Sequence, residues 1–462
     1  MNFDSMGAAI SLCPSSGEEI GRYPYQTPSQ LEAALTRVKK GFDQWSVVDI
    51  SVRVTVLLNL AEQFRKQLDS MAIMAANEMG KPIAQGRAEI EKCAALCEWY
   101  AEHGPKMLEP EPTLVEDNKA FVAYRPLGAV LAVMPWNFPF WQIMRGAVPI
   151  ILSGNPYVLK HAPNVMGCAY LLQDVWRQAG APMGVFEVIN IPPAGVSKAI
   201  EDPRIATVAV TGSVRAGSAI ASQAGAALKK CVLELGGSDP FIVLADADIE
   251  EAVKAAVVGR FQNTGQVCIA AKRIIVEHSV AKVFEEQFVA ATSALKVGDP
   301  LDNDTYIGPM ARFDLREELH EQVQATLSQG AKLLLGGNKI AQRGNYYEPT
   351  ILADVTPEMT SFKEELFGPV ASLIVANDAE HALELANNSE FGLSGSLWTA
   401  DIELAKSLAA RMVTGAVFIN GYTASDPRVP IGGVKKSGFG RELSHFGIQE
   451  FCNAQTVWLD RR

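Results

Sequence analysis

Apolar residues recur every three or four positions through most of residues 1–105, a spacing that predicts helices. In SQLEAALTRVKKGFDQWS, Leu31, Leu35 and Val38 fall on one face, and Ser29 is the candidate N-cap. A second long helical stretch, SVRVTVLLNLAEQFRKQLDSMAIMAANEMGKP, is closed by Gly80 and Pro82. The spacing then changes. KAFVAYRPLG reads as a strand, and from residue 128 strands and helices take turns. GAVLAVMP, NPYVLK, VFEVINI, TVAVTGS and CVLELGG are the predicted strands, with helices between them. A second series follows. It has helices at 245–260 and in VAKVFEEQFVAATSALKV, and strands at RIIVEHS, ASLIVAN, GSLWTA and GAVFIN. Two such series predict an α/β protein with two mostly parallel sheets, each covered on both faces. Ligand chemistry is then expected at strand C-terminal ends and between the two units.

Composition narrows the function classes. A chain of 462 residues is too long for one hydrophobic core. Its formal net charge of −11 argues against nucleic acid or an anionic membrane as partner. Residues 1–19 carry no basic leader ahead of an apolar run, and no segment has the roughly 18 uninterrupted apolar residues of a membrane span. A cytoplasmic location is expected. The seven cysteines are odd in number and irregular in spacing, which speaks against a disulfide framework. Cys93 and Cys97 share a helix face as packing residues, and the six histidines form no His-x-x-x-His pair, so no metal site is expected.

Several strand ends carry residues capable of chemistry. Thr211-Gly212-Ser213 ends one strand and opens a helix, a turn that lets backbone N–H groups meet an anion. It is neither a G-x-G-x-x-G fingerprint nor a Walker A loop, and Gly438-Phe439-Gly440 follows no predicted strand. Glu234 ends the apolar strand CVLELGG, where it is either a surface residue or a general base with a raised pKa. Asn137, between Pro135 and Pro139, is either a turn residue or an oxyanion donor. Lys160 ends another strand. Cys268, in NTGQVCIAAKR, is either a buried structural thiol or a nucleophile.

The order PWNFP, VLKHAP, VTGS, LELGG, NTGQVC, KEELFGPV, IGGVKKSGFGREL resembles the NAD(P)-dependent aldehyde dehydrogenase family, and within it the bacterial succinate-semialdehyde dehydrogenases. The resemblance runs from about residue 10 to the C-terminus. It implies two Rossmann-like parallel-sheet domains plus a small β oligomerisation arm. The dinucleotide-binding domain would be 1–111 and 126–234, the catalytic domain 235–447, and the arm 112–125 and 448–462. A homodimer or homotetramer is expected, because a strand-rich arm bearing Val457, Trp458 and Leu459 needs another surface to cover it.

Carried over by motif, Cys268 is the nucleophile, Asn137 an oxyanion donor and Glu234 the base that activates water. Cys231, three residues before Glu234, is then the core thiol. For NAD or NADP the resemblance implies Trp136, Lys160, His161, Ala162, Pro163, Gly212, Ser213, Leu235, Glu365 and Phe367. Strongly NAD-selective relatives carry a Glu where this chain has Pro163, so use of both cofactors is expected. For a small carboxylated aldehyde the resemblance implies Arg145 as the carboxylate partner; relatives often carry a second arginine where this chain has Gln262, which donates only neutral hydrogen bonds, and Arg428 is either its substitute or a solvent-exposed loop residue. Glu234 argues against an acyl transfer to coenzyme A. A cysteine hydrolase lacks a legible Cys-His pair, and retention of Cys268, Glu234 and Asn137 argues against a silent relative.

Overall fold

A computed structural model describes residues 7–116 and 119–460. Of the expected N-terminal domain, residues 1–6 lie outside the described residues, as do Asp117, Asn118, Arg461 and Arg462 of the expected arm.

Two parallel sheets organise the chain. In the first, strands Phe186–Val188, Tyr157–His161, Ala129–Met134, Ile205–Thr211 and Lys230–Glu234 lie side by side, all parallel. This is the chain order third, second, first, fourth, fifth, with the reversal between Ala129–Met134 and Ile205–Thr211. A ligand crevice opens where such a reversal lets the two flanking loops part. Gly438–Phe439 adds an antiparallel edge, opposite Leu233 and Glu234. The second sheet runs Val417–Ile419, Gly395–Trp398, Asp239–Val243, Ala271–Glu277, Val370–Ala376, Thr350–Ala353 and Lys332–Leu335, parallel except for the last pair.

Both sheets are buried on both faces, as their apolar runs require. In Ala129–Met134, Val130, Ala132 and Met134 enter one core cluster, while Ala129 and Leu131 enter another. The second sheet divides likewise, Ile242 and Ile275 to one side, Phe241, Val243, Ile274 and Val276 to the other.

The N-terminal helices form as the pattern predicts, with three changes. A hairpin, Ala8–Leu12 with Glu19–Pro24, precedes them. The first helix, Pro28–Trp45, is capped by Thr27 rather than Ser29: Thr27 Oγ1 accepts from Gln30 N and Gln30 Oε1 accepts from Thr27 N, with Pro28 favoured as first helical residue. The long second stretch breaks at Gln67 into Ile50–Lys66 and Leu68–Met79. Strands Asp239–Val243, Lys332–Leu335 and Thr350–Ala353 are additional to the predicted ones; at four or five residues, with burial that does not alternate, they have no period to read. Cys93 and Cys97 are buried in helix Ile83–Met107, whereas Cys231 is half-buried at a strand start and is not the deep thiol expected of it.

A separate three-stranded antiparallel sheet joins Glu111–Pro112, Ala120–Pro126 and Cys452–Trp458, the last at its edge. Among the described residues no helix is long and apolar enough to cross a membrane.

Candidate active site

The loop carrying Cys268 is held in a strained shape. Asn263 and Thr264 have φ of 53° and 57°, left-handed values that a residue with a Cβ rarely adopts, and Gly265 follows at 69°. A Cβ on Gly265 would lie 2.3 Å from Gly368 O, so only glycine fits. Side chains from other elements hold the turn. Gln85 Oε1 accepts from Asn263 N at 2.6 Å, and Thr264 Oγ1 donates to Gly308 O and accepts from Gly308 N. The buried Arg260 donates to Val370 O, Leu366 O, Gly368 O and Gly265 O. Beyond the turn, Lys272 Nζ donates to Val267 O at 2.9 Å and Cys268 O at 2.7 Å and pairs with Glu365 at 3.2 Å.

Cys268 stands where two cavities meet. A larger cleft of about 720 Å³ is lined by Trp136, Asn137, Gly212, Ser213, Glu234, Leu235, Glu365 and Phe367, among others. A smaller cavity of about 240 Å³ is lined by Arg145, Gln262, Trp141 and the segment 422–425. Cys268 and Gln142 border both. The cysteine enters from the N-terminal end of strand Ala271–Glu277, not from a strand C-terminus as expected. The first sheet supplies its C-terminal edge, and the second sheet its N-terminal edge, to one crevice. Burial pushes the Cys268 thiol up to about 11, against the opposing pull of Arg145 and Lys272.

Asn137 follows strand Ala129–Met134, which flanks the reversal point. Its Nδ2 donates to Gln266 O at 2.9 Å, and its main-chain oxygen accepts from Asn263 Nδ2 at 2.7 Å. One amide hydrogen is thus used to aim the group, leaving the other for a ligand. Glu234 ends the neighbouring strand but one and is 2% exposed. Arg145 Nη2 lies 3.5 Å from its Oε2, while Oε1 is buried with no hydrogen-bond partner among the described residues. Burial raises its pKa well above the carboxylate range, and Arg145 opposes the rise in part.

The cleft suits a dinucleotide. Ser213 caps helix Val214–Ala226, its Oγ accepting from Ala216 N, so the helix N-terminus opens onto the cleft. Gly217 packs where a Cβ would lie 2.4 Å from Leu235, seating the helix close to the strand end. Glu365 Oε1 accepts from Gly237 N at 3.1 Å, and a Cβ on Gly236 would strike Glu365. Phe367 meets Trp136 edge to face, with ring centroids 5.8 Å apart. Lys160, His161, Ala162 and Pro163 border neither cavity. Lys160 is half-buried, and its amine has no hydrogen bond or ion pair among the described residues. His161 turns its ring under the Asn137 loop, Nδ1 facing Met134 O and Nε2 facing Pro139 O; burial lowers its pKa to about 4. Pro163 begins the 3-10 turn Pro163–Val165.

The residues expected at the substrate end separate. Gln262 and Arg145 line the smaller cavity. Arg145, however, is 2% exposed and already faces two carboxylates: its Nε forms an ion pair with Glu442, and its Nη2 approaches Glu234 and Thr211 Oγ1. Arg428 borders neither cavity. It is exposed and folds back on Asp426, two residues earlier, which satisfies it locally. Glu442 lies in the quoted GREL segment and Lys272 in CIAAKR, yet neither has a periodic signal: Glu442 acts through Arg145, almost 300 positions away, and Lys272 through the Val267 and Cys268 carbonyls together with Glu365, 93 positions away.

Residues 4–457 match the aldehyde dehydrogenase family. The chain is 63% identical over 453 residues to the succinate semialdehyde dehydrogenase (NAD(P)+) Sad of Escherichia coli, covering 98% of each chain. It is 44% identical over 452 residues to a probable succinate-semialdehyde dehydrogenase (NADP+) of Synechocystis, covering 98% of this chain and 100% of that one. The crystal structure of succinic semialdehyde dehydrogenase from Streptococcus pyogenes in complex with NADP+ superposes with a TM-score of 0.95 at 35% identity, covering 98% of this chain and 99% of that one. With this match along nearly its whole length and a cysteine at the junction of two sheets, the chain belongs to the aldehyde dehydrogenase family.

Proposed function

We propose that this enzyme oxidises succinate semialdehyde to succinate with NAD(P)+ through an acyl-enzyme on Cys268. The observation carrying this is the position of Cys268, a single thiol open to a large cleft on one side and a small one on the other. The aldehyde enters by the smaller cavity, whose lining has three cationic side chains, Lys81, Lys92 and Arg145, against one carboxylate, Glu89. That imbalance favours an anionic substrate.

Cys268 gives its proton to water in the cleft, and the resulting thiolate bonds to the aldehyde carbon as the C=O π pair moves onto oxygen, giving a thiohemiacetal oxyanion. The spare Asn137 N–H and the Cys268 backbone N–H, which donates to nothing among the described residues, stabilise that oxyanion. A nicotinamide dinucleotide bound in the larger cleft supplies the hydride acceptor. Trp136, Gly212, Ser213, Leu235, Glu365 and Phe367, which line that cleft, would hold it; Lys160, outside the lining but with an amine that has no partner among the described residues, is assigned to the ribose by the motif alone. Cys268 is then left as a thioester. Glu234, through the unpartnered Oε1, takes a proton from water as the water oxygen attacks the thioester carbonyl and the sulfur leaves. Arg145 and Glu442 hold Glu234 in place.

Both NAD and NADP are used on this reading, because Pro163 presents no carboxylate to repel a 2′-phosphate. Domains 1–111 with 126–234, and 235–447, follow the two sheets. The edge strand Cys452–Trp458, with Trp458 and Leu459 exposed, is the surface that joins copies. A cytoplasmic site accords with seven cysteines that all stay free. A panel of aldehydes assayed with each cofactor tests the reading. Succinate semialdehyde is expected to have the highest kcat/KM, and a better uncharged aldehyde would refute the substrate. A cofactor ratio beyond about 1000, over roughly 4 kcal/mol, would refute dual use.

A further inference from the structure

The three cations around the smaller cavity differ in what they already hold. Lys81 is buried and ion-paired with Glu89, whose other oxygen accepts from Phe140 N and Trp141 N. Arg145 is shared between Glu442 and Glu234. Lys92, on helix Ile83–Met107, has no carboxylate ion-pair partner among the described residues: its Nζ donates to Ser425 Oγ at 2.9 Å and sits 4.1 Å from the centre of the Trp141 ring. Helix, ring and loop 422–425 therefore hold a half-buried ammonium at the wall of the cavity that Cys268 also borders. A cation in such a place is costly without a counter-charge.

We propose that Lys92 is the specificity-determining residue that pairs with the distal carboxylate of the substrate, while Arg145 serves to position Glu234. This rests on the proposed function and deepens it. A linear aldehyde with its carbonyl carbon at Cys268 directs its far end away from the cofactor cleft, toward the wall formed by Lys92, Trp141 and Ser425. The Ser425 hydroxyl, accepting from Lys92, fixes the ammonium without neutralising it. The small volume limits the chain length that reaches both ends. Burial lowers the Lys92 pKa to about 8, with Arg145 adding to the drop and Cys93, Asp426 and Glu89 opposing it. Lys92 thus carries its charge below pH 8 and loses it above.

The test compares succinate semialdehyde with butanal, an uncharged aldehyde of equal length, in the wild type, Lys92→Met, Lys92→Gln and Lys92→Arg. Lys92→Met and Lys92→Gln are expected to raise KM for succinate semialdehyde about tenfold or more, leave its kcat and both constants for butanal within about twofold, and be partly rescued in Lys92→Arg. In the wild type, KM for succinate semialdehyde should rise above pH 8 while that for butanal does not, and the rise should vanish in Lys92→Met. If both aldehydes suffer equally, Lys92 is structural and the assignment falls. If the wild type prefers succinate semialdehyde and Lys92→Met keeps that preference, the assignment falls while the proposed function stands. If the wild type prefers butanal, the proposed function itself falls, and this inference with it.

Discussion

Removing the Asn137 side-chain amide separates catalysis from stability. In Asn137→Ala two things are lost: the bond to Gln266 O at 2.9 Å and the free N–H that would meet the oxyanion. The first loss is small, because Gln266 O still accepts from Asn263 Nδ2 at 3.3 Å; about 1 kcal/mol of folding stability is expected to go. The second acts only when charge develops on the substrate oxygen, in a site where Asn137 is 3% exposed and water does not replace it. Loss of one such donor costs about 10²–10³ in kcat, or roughly 2.7–4 kcal/mol. The barrier should therefore suffer about three times more than the fold. Asn137→Asp, nearly equal in shape, sets an anion beside the oxyanion and should be at least as damaging. The assay is steady-state formation of reduced cofactor with succinate semialdehyde, read beside urea unfolding of the same variant. A kcat within about tenfold of the wild type would remove Asn137 from the oxyanion role. So would a loss of activity matched by an equal loss of stability.

Arg145→Met leaves Glu442 and Glu234 buried beside each other without the guanidinium that pairs with both, so urea unfolding should detect a loss of about 3–5 kcal/mol, and activity should fall toward charged and uncharged aldehydes alike. A change below about 1 kcal/mol would mean that the pair does not depend on Arg145. Lys272→Met removes a cation that stabilises the Cys268 thiolate, so alkylation of Cys268 by iodoacetamide at fixed pH should slow; an unchanged or faster rate contradicts the role given to Lys272. His161 resists protonation when folded. Its pKa falls from 6.5 to about 4, so its contribution to stability is complete above pH 6.5 and lost as pH drops toward 4. His161→Gln should flatten the stability profile over that window, measured as unfolding midpoint against pH, and an unaltered slope would assign the acid sensitivity elsewhere.

The sequence makes some parts of this molecule legible and hides others for physical reasons. The alternation of strands and helices is visible because each amphipathic helix and each strand end with Gly or Pro carries its own local pattern. The strand Asp239–Val243 does not, because all five residues are buried and no face alternates. Cys268, Glu234 and Asn137 are readable as a set through the order of their motifs, and they border one cleft. Arg145 reads as a free guanidinium because its partner Glu442 is almost 300 positions away. Arg428 reads as a spare cation because the turn that folds it onto Asp426 has no periodicity. Lys92 is the converse. In EIEKCAALCEWYAEH it looks like any solvated helix lysine, and only the packing of Trp141 and Ser425 against that helix reveals an ammonium with no carboxylate ion-pair partner among the described residues.

The acyl-enzyme is the centre of the account, and Glu234→Gln offers the way to trap it. With the base gone, the thiol should still be acylated while hydrolysis stalls. Mixed with succinate semialdehyde and NADP+, this variant is predicted to release one equivalent of NADPH per site and to gain the mass of one succinyl group. Proteolysis should map that group to the peptide containing Cys268 and to none of the other six cysteines. Sustained turnover with no adduct, or an adduct on another cysteine, would contradict the mechanism.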